Sequence, residues 1–365
     1  MLKRPEYCRL QISAPGGILI SKRDMELLGA TREELREYCT RLGEPDYRGN
    51  QLARWIYARG VSDFDGMTDL PAEFRRKLNE NATVSRSRVA RTLSSPDGTR
   101  KVLLELLGGN TIESVLIPYS DRLTVCVSTQ VGCAVGCAFC ATGAQGFRRN
   151  LTAGEIVDQA LTLQALEGRR VTNVVFMGMG EPLFNYQAVM RSVRLLNREI
   201  GVSMRRLTIS TVGIVPQIRR LAAEKLQLTL AISLHAADDD LRAELIPISR
   251  KYPLSELIAA CGDYAHQTGR RVTFEYMLLG EVNDDSDSAG KLAARLHGIL
   301  CNVNVIPYNE VPGLGFRRPT KEAVREFTVV LEAAGIETTQ RLERGHAIAA
   351  ACGQLKSSGA DDEQQ

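Results

Sequence analysis

Cys133-Ala134-Val135-Gly136-Cys137-Ala138-Phe139-Cys140 sets three cysteines at the spacing C-x3-C-x2-C, and the reading of this octapeptide decides the fold around it. A structural zinc site takes four ligands, usually from paired C-x2-C units, and no fourth Cys or His follows at close range. Three thiolates suit a 4Fe-4S cluster that keeps one iron open to a small molecule. Zinc binding and simple burial of free thiols are the alternatives, because cysteine is often ordinary core.

The flanks place the octapeptide in a loop between a strand and a helix. Before it, Leu123-Thr-Val-Cys-Val-Ser128 alternates, with Leu123, Val125 and Val127 on one face and Thr124, Cys126 and Ser128 on the other. If the apolar face meets helices, Cys126 looks inward. After it, Thr152 and Glu155 form a capping box ahead of Ile156, Val157, Ala160 and Leu161, which fixes a helix start. Beyond Asp121 strands and helices keep alternating. Strands are expected near Leu123, Asn173, Leu207, Thr229, Val272 and Val303, and helices near 152–167, 186–199, 214–224, 254–267, 286–299 and 320–334. Six parallel strands predict an α/β fold, a partial (β/α)6 barrel over 121–340.

The remaining chain divides by pattern. Residues 1–26 are an irregular lead-in and 27–85 a small helical domain, with helices opening at Thr31, over Arg48–Arg59 and at Pro71. Residues 86–120 read as a short antiparallel β connector around the turn Ser95-Pro96-Asp97-Gly98. A C-terminal segment, 341–355, carries Cys352 among small residues, and 356–365 is a polar acidic tail expected to be disordered.

Composition narrows the class. The 365 residues are 44% apolar and 24% charged, with no apolar run of membrane-spanning length. Met1–Gly17 lacks the apolar stretch and cleavage site of an export signal, so the chain is expected to be cytoplasmic. Thiols there stay reduced, and the nine cysteines read as ligands, catalysts or core rather than as a disulfide framework. The net charge of +3 neither demands nor forbids nucleic acid. Paired arginines recur, and Arg148-Arg149, beside the cysteine loop, is the pair best placed to hold phosphate.

Chemistry in α/β barrels gathers after the C-terminal ends of the strands. Gly178-Met-Gly-Glu-Pro182, Ser210, Ser233-Leu234-His235 and Asn309 all fall there. Gly180 would let backbone approach a ligand closely, and Glu181 can accept hydrogen bonds from an ammonium group. Singly, each is an ordinary turn residue.

The three-cysteine motif, with Phe139 before its last Cys, resembles that of the radical S-adenosylmethionine (SAM) enzymes. More narrowly, Cys126-Val-Ser-Thr-Gln-Val-Gly-Cys133, Gly146-Phe-Arg-Arg-Asn150, Met177-Gly-Met-Gly-Glu-Pro182, Ser233-Leu-His-Ala236 and Ala350-Ala-Cys-Gly-Gln354 resemble the RlmN/Cfr family of RNA adenine methyltransferases. The likeness runs from about Tyr47 to Leu355, and the piece around Trp55 resembles that family's RNA-holding accessory domain.

The resemblance implies a radical-SAM barrel and one 4Fe-4S cluster on Cys133, Cys137 and Cys140. It implies SAM, two per turnover, contacted by Gly180, Glu181, Ser210, Ser233, Leu234, His235 and Asn309. Cys352 would carry the methyl group, Cys126 would resolve the intermediate through a transient disulfide, and Glu113 would do acid/base work. The implied substrate is carbon 2 of an adenine in 23S ribosomal RNA, with transfer RNA as a second substrate. A flavodoxin- or ferredoxin-type electron donor is also implied, and the enzyme is expected to be a monomer. Carbon-8 methylation, as in the Cfr branch, a different substrate for the radical chemistry, and a non-enzymatic zinc RNA-binding module stay open. One departure stands out: Arg344-Gly-His-Ala-Ile-Ala-Ala350 lacks the acidic residues the family commonly has there. Cys8, Cys39, Cys261 and Cys301 match nothing in the family pattern.

Overall fold

The computed structural model describes residues 25–341 and 344–356, so most of the lead-in, Cys8 and nearly all of the acidic tail lie outside the described residues. One sheet organises the molecule, and its ten strands lie side by side in chain order. They are β1 Arg88–Ser94, β2 Arg100–Glu105, β3 Thr111–Pro118, β4 Leu123–Cys126, β5 Asn173–Phe176, β6 Leu207–Thr211, β7 Thr229–Ser233, β8 Val272–Leu278, β9 Cys301–Pro307 and β10 Thr338–Gln340. From β4 to β10 all neighbours are parallel, whereas β1 to β4 pair antiparallel.

Two features differ from expectation. The connector joins the barrel sheet directly, because β3 pairs with β4, Leu116 opposite Val125. A seventh parallel strand, β10, follows the six expected ones; its three polar residues carry no hydrophobic alternation that would announce a strand.

The helices Ala153–Glu167, Tyr186–Arg198, Val215–Ala223, Leu254–Thr268, Ser286–Leu296 and Lys321–Ala333 return the chain between the parallel strands. The Thr152–Glu155 capping box forms as read. Strand alternation then sorts the side chains. Leu123, Val125 and Val127 are fully buried, while Cys126, Val175, Thr208, Ala231, Thr273 and Asn304 line an interior cavity of about 430 Å³. Inside the barrel the residues are small or polar, which leaves room for a substrate instead of a packed core.

The helical piece comprises Arg32–Arg41, Tyr47–Ala53 with a π-helical turn over Arg54–Ala58, and Ala72–Asn81, and it meets the barrel's outside through Gly29, Arg32 and Glu34. Two glycines meet at the contact. Gly29 has φ +96°, and a Cβ there would lie 2.7 Å from the Gly154 nitrogen. Arg191 secures the junction by donating from Nε to the Gly29 carbonyl at 2.6 Å.

The C-terminal segment crosses from the β9–β10 edge towards β1–β3. Arg341 N–H donates to the Val305 carbonyl (3.0 Å), Gly345 N–H to the Asp97 carboxylate (3.0 Å), and Lys356 N–H to the Glu113 carboxylate (2.9 Å). Among the described residues no helix is long and apolar enough to cross a membrane.

Gly29→Ala should force the helical piece off helix Ala153–Glu167 and cost about 2 kcal/mol or more, from strain at positive φ plus backbone overlap. A denaturant melt that left stability unchanged would show that the junction tolerates a side chain.

Candidate active site

The loop holding the three cysteines is framed by a short antiparallel ribbon, Gln130–Gly132 with Phe147–Asn150. Gly132 has φ +75°, and a Cβ there would lie 1.9 Å from the Gly146 carbonyl oxygen, so the ribbon closes only around glycine. Three backbone bonds fix the loop: Cys133 N–H to Gly146 O (2.9 Å), Ala138 N–H to Leu245 O (2.9 Å) and Ala141 N–H to Gly353 O (2.7 Å). The last ties the cysteine loop to the segment bearing Cys352.

Cys133, Cys137 and Cys140 line one cavity of about 140 Å³ together with Gly180, Glu181, Ser210, Ser233, His235 and Cys352. Burial pushes the Cys133 thiol up to about 11 and Cys137 well above the usual range, where the neighbouring thiols add to the effect. The Val135 and Gly136 N–H groups oppose this at Cys133. Thiols crowded and desolvated in this way lose protons readily only to a cation. Among the described residues no group of three His, Cys, Asp or Glu converges to hold a single metal ion. Three thiols around one cavity are the donor set that a thiolate-bound iron–sulfur cluster takes.

The glycine-rich turn serves packing first. A Cβ on Gly178 would lie 2.7 Å from Ser128 Oγ and one on Gly180 2.5 Å from Gln130 Cβ, so both glycines let the turn lie flat on the chain leaving β4. Glu181 is 3% exposed; its Oε1 accepts from Leu183 N–H and its Oε2 from Val212 N–H, each at 2.9 Å. Burial nevertheless raises its carboxyl to about 7. It is poised between neutral and ionised near physiological pH.

His235 takes φ +59°, and its Nδ1 accepts from Met277 N–H at 3.0 Å. An accepting Nδ1 requires the neutral ring, and burial followed by the Arg242 charge depresses its pKa to about 3. Phe139 packs edge-on against it at 5.0 Å, so the aromatic residue of the cysteine motif props the His235 ring. Leu234 stands apart: its side chain is fully buried outside both cavities, and its carbonyl accepts from Arg242 Nε. Asn309 lines the larger cavity, with Arg318 donating to its Oδ1 at 3.3 Å.

Cys126 faces that larger cavity, and Cys352, Glu275, Met177 and Arg341 line both. Burial, then the neighbouring Cys352, raises the Cys126 thiol to about 12, while Arg341 draws it down. Arg341 Nη1 lies 3.7 Å from Glu275 Oε2 and 3.8 Å from Met177 Sδ. Sequence reasoning missed this guanidinium, and its one signal is a charged residue directly after the polar strand β10. It also missed Arg242, buried behind the cysteine loop, whose fork holds the Val212, Ser233 and Leu234 carbonyls.

Glu113 lines neither cavity. Its Oε1 pairs with buried Lys101 at 2.9 Å and its Oε2 accepts Lys356 N–H. Burial raises its pKa and Lys101 opposes the rise. Arg149 is engaged by Glu155 at 2.7 Å, which leaves Arg148 as the exposed member of that pair.

Residues 127–292 match the radical SAM superfamily. The chain is thus a radical SAM enzyme by fold and by motif. Residues 25–84 match the ribosomal RNA large subunit methyltransferase N-terminal domain. The probable dual-specificity RNA methyltransferase RlmN of Thermosynechococcus vestitus is 50% identical over 92% of this chain and 99% of its own. That of Moorella thermoacetica is 51% identical over 91% and 97%. The crystal structure of a radical SAM methyltransferase from Sphaerobacter thermophilus superposes with TM-score 0.87 at 50% identity, covering 91% of this chain and 99% of that one. The chain belongs to the RlmN family of radical SAM methyltransferases, which implies an iron–sulfur cluster and SAM. A non-enzymatic zinc module is set aside by this membership.

A neutral, buried His235 binds fewer protons than the unfolded chain between about pH 6.5 and about pH 3. Its contribution therefore makes stability fall as pH drops through that window. His235→Gln should flatten this part of the stability–pH curve, and an unaltered curve would mean that other groups govern acid sensitivity.

Proposed function

We propose that this enzyme methylates carbon 2 of an adenine in large-subunit ribosomal RNA, with transfer RNA as a second substrate. The observation that carries the reading is the position of Cys352, which lines the cavity of the three cluster cysteines and also the cavity of Cys126. Carbon 2 of adenine is electron-poor and cannot attack a methyl sulfonium. When bound, the cluster and SAM would supply a methyl group and the hydrogen-abstracting radical that such a carbon requires. Cys133, Cys137 and Cys140 would hold the cluster, and Gly180, Glu181, Ser210, Ser233 and His235 would shape the SAM site, with Leu234 contributing through backbone and Asn309 from the second cavity.

The chain's own residues then divide the work. Cys352 carries the methyl group and presents it to the base through a thioether. Release needs a second thiol: Cys126 attacks Cys352 Sγ, an S–S bond forms, the S–CH2 bond breaks, and its electron pair goes to the base, whose methylene is protonated to methyl. The attack requires a thiolate, which burial opposes at Cys126 and the Arg341 guanidinium favours. The disulfide must afterwards be reduced by a dithiol, and a flavodoxin- or ferredoxin-type donor would supply the cluster. Glu113 would move the ring proton only after giving up Lys356, so its role is tied to the position of the C-terminal segment. The enzyme is taken to act as a cytoplasmic monomer.

Cys126→Ala, purified under denaturing conditions, should carry RNA covalently attached at Cys352, detectable by mass spectrometry. Robust RNA methylation by that variant with no adduct would remove Cys126 from the mechanism. SAM binding should tighten as pH rises through about 7, where Glu181 ionises, and Glu181→Gln should lose that dependence. Equal slopes in both proteins would place the titrating group elsewhere.

A further inference from the structure

The barrel interior has two ends, and they are built differently. The cysteine loop covers the C-terminal ends of the parallel strands, fastened through Ala138 to Leu245 and through Ala141 to Gly353. The larger cavity reaches the other end, since it is lined by Thr208, Thr229 and Thr273, at or near the first residues of β6, β7 and β8. There the turn Ser120-Asp121 joins β3 to β4 and is closed by Tyr119 N–H donating to the Arg122 carbonyl at 2.8 Å. Tyr119, Arg122 and Arg344 line this end of the cavity.

The three side chains form a stack. The Arg122 guanidinium lies 3.9 Å from the Tyr119 ring centroid and that of Arg344 lies 4.3 Å from it. Two groups so close to one centroid must occupy opposite faces of the ring. Stacking holds a guanidinium by its face and leaves the in-plane N–H donors for another partner. Arg344 uses Nη1 on the Pro118 carbonyl at 3.1 Å and the Asp97 carbonyl at 3.4 Å. Arg122 is exposed, and among the described residues its carboxylate neighbour is the exposed Asp121, at 3.8 Å. An exposed guanidinium stacked on a ring, with its edge open at the mouth of this cavity, has the geometry to take a phosphate.

We infer that the RNA base enters the barrel from the end opposite the cysteine loop, and that Arg122, stacked on Tyr119 and backed by Arg344, binds a phosphate adjoining the reacting nucleotide. The inference rests on the RNA reading above and adds the direction of approach and the residue that reads the backbone. A base inserted to the depth of Cys126 and Cys352 leaves its flanking phosphates at this mouth. Because Arg344 belongs to the segment that carries Cys352, a phosphate bound here also bears on the element that presents the methyl group.

The test uses the full chain with its cluster reconstituted anaerobically and an unmodified transcript of large-subunit ribosomal RNA as probe. Affinity is measured as a function of salt for wild type, Arg122→Ala, Arg122→Glu and Arg148→Glu, the last making the same charge change beside the cysteine loop. Loss of one phosphate contact should reduce the slope of log affinity against log salt by about 0.7 to 0.9. Arg122→Ala should show that reduction, with affinity at low salt weakened several-fold and more so in Arg122→Glu. SAM cleavage without RNA should stay at the wild-type rate in both, which separates lost RNA contact from a damaged site. Wild-type affinity and slope in both Arg122 variants, or a larger loss in Arg148→Glu than in Arg122→Glu, would overturn the inference. If the wild-type enzyme neither bound nor methylated the transcript, the RNA reading would fall and this inference with it.

Discussion

A single backbone hydrogen bond, from Ala141 N–H to the Gly353 carbonyl, ties the loop of three cysteines to the segment that bears Cys352. On one side of it stand three thiols shaped for a cluster, and on the other stands Cys352. Neither the barrel strands nor the cysteine ribbon fixes Cys352, because the residue lies on a segment outside the sheet. Thr142 Oγ donating to the Leu355 carbonyl and Lys356 N–H donating to Glu113 reinforce the docking. These are ordinary hydrogen bonds, each worth about 1 kcal/mol net, so the segment is held firmly only by acting together.

The charges inside the barrel follow from that arrangement. Glu275 and Glu181 are buried carboxylates, and both are raised by desolvation. Arg341 and Arg242 are the cations set among them, one between the two thiol cavities and one behind the cysteine loop. Buried charge is costly unless paired or hydrogen-bonded. Arg242 offsets that cost with backbone carbonyls, whereas Arg341 has a looser set of neighbours, the 3.7 Å contact to Glu275 and the thiols themselves. Arg341 thus stands among the thiols, and Cys352 is the leading influence on it.

Much of the fold was legible because it rests on local rules. The alternation of Leu123–Ser128 gave both the strand and the inward face of Cys126, and Thr152 with Glu155 gave the next helix start. The motif residues were legible as a set, since strand ends place Ser210, Ser233 and His235 at one mouth. What escaped depends on tertiary context. Strand β10 is three polar residues that become a strand only beside β9. Gly180, read as letting backbone approach a ligand, is required, like Gly178, by the chain packed beneath it. Arg341, Arg242 and Lys101 look like surface charges in the sequence, and nothing local says they turn inward. Glu113 came from the family resemblance alone, and its pairing with Lys356 depends on a segment far away in the chain.

Glu113 brings these strands of argument together. As the structure stands, its carboxylate has one oxygen on Lys101 and the other on Lys356, and it reaches neither cavity. A proton-transfer group must touch the proton it moves. The C-terminal segment cannot therefore both keep Lys356 on Glu113 and allow Glu113 to work on a base. The same segment presents Cys352, so a shift that frees Glu113 also changes where Cys352 stands. On the proposed mechanism, methyl delivery and proton removal would thereby be coupled through one short stretch of chain, anchored at one end by Asp97 and at the other by Glu113. The docked segment already sets Cys352 beside both the cluster cysteines and the Cys126 cavity, and only the proton-transfer step of that mechanism would require Lys356 to leave Glu113.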